Sequence, residues 1–336
     1  MSEQDNLPFW RGERGRYEVW FLTMSAPDGR AGYWIRYTVR APVTGPPESR
    51  AWFARFDRDD PIRTFGVNAP AELGSQGLAM SHDGFRIRLG ESALSPGRAV
   101  GRIDGGGHEA SWDLSFESGD PTYRLLPRPF YRGSLAPTKP YTPNPDLRFR
   151  GAIETDGETV KLEGAPGQQG HLFGSRHAER WAWAFCNAFE PRGSGGEAEV
   201  FQAISAQGRR GPFLTPLLTF AGLRIGGEWL RFRGTARRNP WDLGTWRLDL
   251  RARGYRLEGV VSAEHQEMVR VRYLDPDGSE RWCHNSEVAS SRLSLSTRGG
   301  SGWRPVRQLV SDGTTHAEWA GRTPATQVEA LHVEVP

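Results

Sequence analysis

Lysine is almost missing from this 336-residue chain: Lys139 and Lys161 are the only two, and the remaining basic residues are arginines. Against 40 acidic residues the 43 basic ones leave a net charge of only +3. The two signs nearly cancel, so no nucleic-acid partner is expected. Cysteine is nearly as scarce. Cys186 and Cys283 are too few for a disulfide framework, which points to a reducing, cytoplasmic compartment. No run of eighteen or so apolar residues occurs, which excludes a membrane-spanning helix. Residues 1–10 lack a basic segment followed by an apolar one, so no signal peptide is expected.

Several motifs are absent too. The glycines of 101–107 lack the GxGxxG spacing, and neither Ser175 nor Ser286 lies in a GxSxG elbow. His171, His177, Glu264, His265 and His284 form no compact ligand spacing, so neither a metal nor a cofactor is expected. Long apolar stripes of helical period are lacking as well.

What is present is alternation. Phe85, Ile87 and Leu89 are interleaved with arginines, and Trp112, Leu114 and Phe116 with polar residues. The pattern returns in Tyr33–Val39, in Trp246–Leu250 and in Val269–Tyr273. Period-two burial is the mark of half-buried strands. Pro27-Asp28-Gly29, Asp83-Gly84, Asp156-Gly157, Gly226-Gly227 and Pro276-Asp277-Gly278 supply hairpin turns between them. Many short antiparallel strands are best closed into barrels, which leave no exposed edge. The length suits two cores, and Trp 13, Phe 16 and Tyr 8 make those cores aromatic. The fold expected is therefore all-β, two antiparallel β-barrel domains packed side by side, over 1–165 and 166–336. The Pro-rich stretch from Leu126 to Pro145 is a long surface loop or part of the connection. Tyr17–Phe21 is echoed by Trp181–Phe185, and Ser111–Phe116 by Thr245–Leu250, as two copies of one architecture would be. The alternating arginines, Arg36 among them, read as solvated outer faces, although an inward one could receive an acidic head group.

Residues 170–189 hold the densest mixture of His, Trp, Cys and Asn. On a strand from Trp181, the side chains of Trp181, Trp183, Phe185, Asn187 and Phe189 share one face, and Ala182, Ala184, Cys186 and Ala188 the other. The aromatic face can fill a barrel or line a cavity. Asn187 among rings needs hydrogen bonds, so it either braces structure or orients a ligand.

His171-x-Phe173-Gly174, followed by Trp183-x-x-Cys186-Asn187-x-Phe189, resembles the central motif of tocopherol cyclases and carotenoid 1,2-hydratases. Asp275-Pro276-Asp277-Gly278 and Trp282-Cys283-His284-Asn285-Ser286-Glu287 resemble the same family more loosely. The resemblance implies two lipocalin-like barrels enclosing a hydrophobic isoprenoid or polyene, transformed by a hydratase, cyclase or pericyclase type of reaction. Such a site needs an acid near a developing cation and aromatic faces to stabilise it. The hydratases carry an aspartate on the strand after the His-bearing segment; here Glu197 and Glu199 stand there, and Glu199, two residues before Phe201, is the first choice as catalytic acid. His171 is expected to assist it. Trp181, Trp183, Phe185, Asn187, Arg176, His177 and His284 are the expected substrate contacts. A lipocalin-like carrier that binds such a ligand without transforming it is the alternative; a carboxyl group facing the rings with a raised pKa would favour the enzyme, and a cavity of rings and aliphatics alone the carrier. The sequence leaves the oligomeric state open.

Overall fold

The computed structural model describes residues 3–71, 86–190, 198–235, 241–300, 302–328 and 332–334. Their regular structure is strand, with only short 3-10 turns for helix. The turn dipeptides act as their chemistry requires. Asp156 and Gly157 both take positive φ (49° and 82°), the conformation of a tight two-residue hairpin, and join Thr138–Thr155 to Glu158–Gly174. Asp83-Gly84, Phe85 and Glu197 lie outside the described residues.

Two large antiparallel sheets result. The first has eleven strands, with Arg16–Ser25 between Ala31–Ala41 and Glu158–Gly174. The second has Arg180–Cys186 between Val200–Gln207 and Gly302–Gly321. In each, the first strand pairs with the second and with one arm of a long hairpin that closes the unit, so both follow one strand order. The echo of Tyr17–Phe21 in Trp181–Phe185 therefore marks equivalent strands. The other echo is one strand out of step: His108–Ser115 pairs with the long hairpin of its unit, whereas Thr245–Ala252 lies one place further out.

The second sheet closes into an eight-stranded barrel where Arg233 pairs with Arg251. The first curls so that Phe65–Ala71 approaches Arg98–Gly105. The change of sheet falls between Gly174 and Arg180; Glu158–Gly174 runs through Ala165 within the first sheet, and His332–Glu334 returns to that sheet as a parallel edge strand.

Alternation then sorts side chains into three cores. Tyr33, Ile35, Tyr37, Trp112 and Leu114 fill the first unit, and Phe201, Trp246, Leu248 and Leu250 fill the barrel. The opposite faces build a third core between the units, where Trp34, Trp52 and Phe56 meet Trp181, Val271 and Tyr273. The units approach to backbone contact: a Cβ on Gly32 would lie 2.3 Å from the carbonyl oxygen of Glu287. Both cysteines are free and buried. Among the described residues no helix is long and apolar enough to cross a membrane.

Candidate active site between the two sheets

The rings of Trp181 and Trp183 lie outside the barrel. Ala182, Ala184 and Cys186, the small face, fit inside it, because its interior is already filled by rings from other strands. The aromatic face meets the first unit and lines a mainly apolar cavity of about 240 Å³. Val19, Phe21, Trp34, Arg36 and Leu172 form one wall, and Trp181, Trp183, Ile204, Leu218, Phe220 and Glu318 the other. The Pro-rich stretch is a loop with one 3-10 turn up to Pro137. Leu126, Phe130 and Leu135–Pro137 roof the cavity, and its last residues enter the strand Thr138–Thr155. Gly170 leaves room for Phe21, whose ring carbon would be 2.1 Å from a Cβ there.

Glu318 is the acid in this cavity. Antiparallel register sets it opposite Trp183 on one side and Asn285 on the other. Trp181 donates from Nε1 to Glu318 Oε2 at 2.9 Å. Removal from water pushes the carboxyl pKa above the usual glutamate value, outweighing the Trp181 hydrogen bond and the charge of Arg36, which favour ionisation. Its residual exposure is to the cavity it lines. Beside it, Cys283 Sγ donates to Asn285 Oδ1 at 2.8 Å.

His177 also lines the cavity. Asp275 accepts from its backbone N–H at 3.0 Å and bonds its ring Nδ1 at 2.7 Å, which orients Nε2 as the remaining functional atom. The imidazole stacks with Tyr17, Tyr273 and Trp181. At the other end, Thr142 Oγ1 and the Gln202 side chain bond each other.

The remaining expected site residues lie elsewhere. Glu199 is tied to Arg307, whose Nη2 is 2.6 Å away, and lies outside the cavity. His171 faces the interior of the first unit because strand alternation gives the cavity to Leu172. Its Nε2 meets Glu18 at 2.8 Å, its Nδ1 meets the Asp5 carbonyl at 2.5 Å, and it stacks between Trp20 and Phe9, pinning residues 5–10 to the sheet. Phe185, on the aromatic face, is buried below the cavity against His316. Asn187 braces structure: its Nδ2 donates to Asp146 Oδ1 and to the Gly167 carbonyl, each at 2.8 Å, joining the barrel to the first unit. Arg176 donates to the Arg209 carbonyl. His284, its pKa lowered by burial, is satisfied by the Trp319 carbonyl and the Ala325 N–H.

His284 borders a second, more open groove of about 670 Å³. Its acid, Glu179, is held ionised by Arg322, Arg209 and Arg281, with a pKa lowered to about 2, and has no proton to give at neutral pH. Among the described residues no group of three or more His, Cys, Asp and Glu is placed to hold a metal.

Sequence reasoning missed Glu318 and Arg36. The signal for Glu318 was a glutamate in Ala317-Glu318-Trp319-Ala320, an apolar strand end. Asn187→Ala is expected to lower stability by about 1–3 kcal/mol, the cost of leaving the buried Gly167 carbonyl unpaired, measured by denaturant unfolding. An unchanged midpoint would contradict the bracing role.

Comparison with known proteins agrees with this architecture. An AttH-like protein of Nitrosomonas europaea superimposes with a TM-score of 0.54 at 17% identity, over 92% of this chain and 93% of its own. Kievitone hydratase from Nectria haematococca superimposes with a TM-score of 0.54 at 12% identity, over 96% and 92%. An uncharacterized protein of Mycobacterium tuberculosis, found in strains H37Rv and CDC 1551, is 30% identical over 93% of this chain and 88% of its own length. Residues 147–321 match the family model described as tocopherol cyclase-like, and with that match this chain belongs to the tocopherol cyclase-like family.

Proposed function

We propose that this protein is an acid catalyst that protonates an unsaturated hydrophobic molecule of isoprenoid or polyene type, in the manner of a hydratase or cyclase, with Glu318 as proton donor. The observation that carries this reading is a carboxyl group with a raised pKa facing aromatic rings in an apolar cavity. Burial raises its pKa, so it holds its proton to higher pH than an exposed glutamate does and can offer it to a double bond in the cavity. Protonation of carbon leaves a cation, and Trp181 and Trp183 line the same wall, where their π faces stabilise positive charge. His177, held by Asp275, is placed to accept a proton when the cation is quenched by water or by an internal nucleophile.

Native mass spectrometry of freshly purified protein should identify a retained hydrophobic ligand. Turnover of that ligand, or of a polyene analogue, in deuterated water should place one solvent deuterium on carbon in the product. Binding without deuterium incorporation would leave a carrier. Trp183→Ala should weaken ligand binding by several-fold or more, since a lost aromatic contact surface is worth on the order of 1–3 kcal/mol. Fluorescence or calorimetric titration checks this, and unchanged affinity would remove Trp183 from the site.

A further inference from the structure

We propose that Arg36 is an anion-binding residue, and that the molecule held in this cavity carries a carboxylate or comparably acidic oxygen at one end of an apolar body. The inference rests on the cavity between the sheets being the ligand site. In the strand Ala31–Ala41, Tyr33, Ile35 and Tyr37 are taken by the core of the first unit. Alternation therefore turns Trp34 and Arg36 toward the cavity. Arg36 is only 5% exposed.

Its guanidinium is surrounded by rings rather than by acids. The centroid of Tyr273 is 4.3 Å away, and those of Trp34 and Trp52 are each 5.5 Å away. Nε donates to Thr38 Oγ1 at 3.0 Å. Among the described residues no carboxylate lies within ion-pair distance of Arg36. The equally buried arginines differ. Arg55 pairs with Asp57 at 3.0 Å and with Glu158 at 3.1 Å, and Arg281 with Glu179 at 3.5 Å. Aromatic faces recover only part of what a cation loses on leaving water. A buried guanidinium that faces a cavity with no carboxylate at ion-pair distance is a fork suited to an incoming oxyanion.

Apart from the hydroxyls of Tyr141 and Tyr273, the other charged or titratable side chains lining the cavity are Glu318 and His177, the latter committed to Asp275. A single guanidinium suits a monoanion, and the apolar lining fits the rest of the molecule. Binding would also prepare the acid. With Arg36 neutralised by the ligand, Glu318 loses a positive charge that favours its ionised form, and so holds its proton more firmly.

The test is calorimetric titration of the full chain with geranic acid, methyl geranate and geraniol, three probes sharing one isoprenoid body. Geranic acid is expected to bind about tenfold more tightly than its ester or the alcohol. Arg36→Met, which keeps the length and loses the charge, should remove that preference by weakening the acid about tenfold while the ester stays within about twofold. Equal binding of acid and ester by the wild-type protein, or an undiminished preference in Arg36→Met, overturns the proposal and leaves the apolar cavity standing. Binding of none of the three overturns the proposal and the cavity reading together. Should Arg36→Met fail to fold, Arg36→Lys is read instead: it retains the charge and should keep an acid preference, and its loss there overturns the proposal.

Discussion

Glu318→Gln is expected to lower turnover by about 10²–10⁴ while ligand affinity stays within a few-fold, because the amide keeps the shape and can still accept from Trp181 but has no proton to give. In the wild-type protein the protonated form is the active one. The alkaline limb of the rate profile should therefore fall as pH passes the raised pKa of Glu318, above the range in which an exposed glutamate titrates. Stability gives a second signature. A carboxyl whose pKa is higher folded than unfolded takes up protons on folding between the two values, so stability declines as pH rises through that window. Glutamine removes the decline, and Glu318→Gln should be at least as stable as wild type at neutral pH. A variant that is inactive only because it unfolds, or that retains wild-type turnover, would refute the assignment. Glu199→Gln should break an ion pair and leave turnover unchanged.

Gly32→Val is expected to be the most disruptive single change to the site that touches none of its lining. A side chain at Gly32 would meet the backbone oxygen of Glu287 at 2.3 Å and its Cβ at 2.6 Å. Backbone on both sides leaves no flexible atom to yield, so the strand Ala31–Ala41 must lift away from the strand Glu280–Gly299. Overpacking of this kind costs about 1–3 kcal/mol and at times more. For units of this size that is a fall of several degrees in melting temperature, at about 2–4 °C per kcal/mol. Ligand binding should be lost with it, since Arg36 belongs to the strand that lifts, and Tyr273, on which it stacks, to the strand Val269–Leu274 paired with Glu280–Gly299. The control is Gly119→Ala, where a Cβ meets nothing within 4 Å. Circular dichroism should show both variants as β-rich. Retained binding in Gly32→Val would mean that the cavity does not depend on the docking of the units.

The sequence by itself determined the strands, their inward faces and most of their turns. A strand's alternation is a property of the pleated backbone and is visible within five or six residues, as in Tyr33–Val39 or Trp246–Leu250. The family resemblance was carried by a short run around His171 and Asn187, and it held for the chain. Which faces meet was not visible, because it depends on pairings between residues more than a hundred positions apart. Glu199 and Glu318 are both glutamates at strand ends near rings. Only the register of Gly302–Gly321 against Arg180–Cys186 puts one of them opposite Trp183, while the other finds Arg307. Arg36 and Asn187 followed the same logic. An alternating arginine normally reaches solvent, and an amide among rings can serve a ligand. Once the outer face of the first sheet is covered by the barrel, the arginine becomes a buried charge beside a cavity, and the amide, at the seam, finds Asp146 and Gly167 instead. Docking of two outer faces decided the place of the site, its acid and its cation, since burial and pairing are set by whatever the second unit brings across the interface.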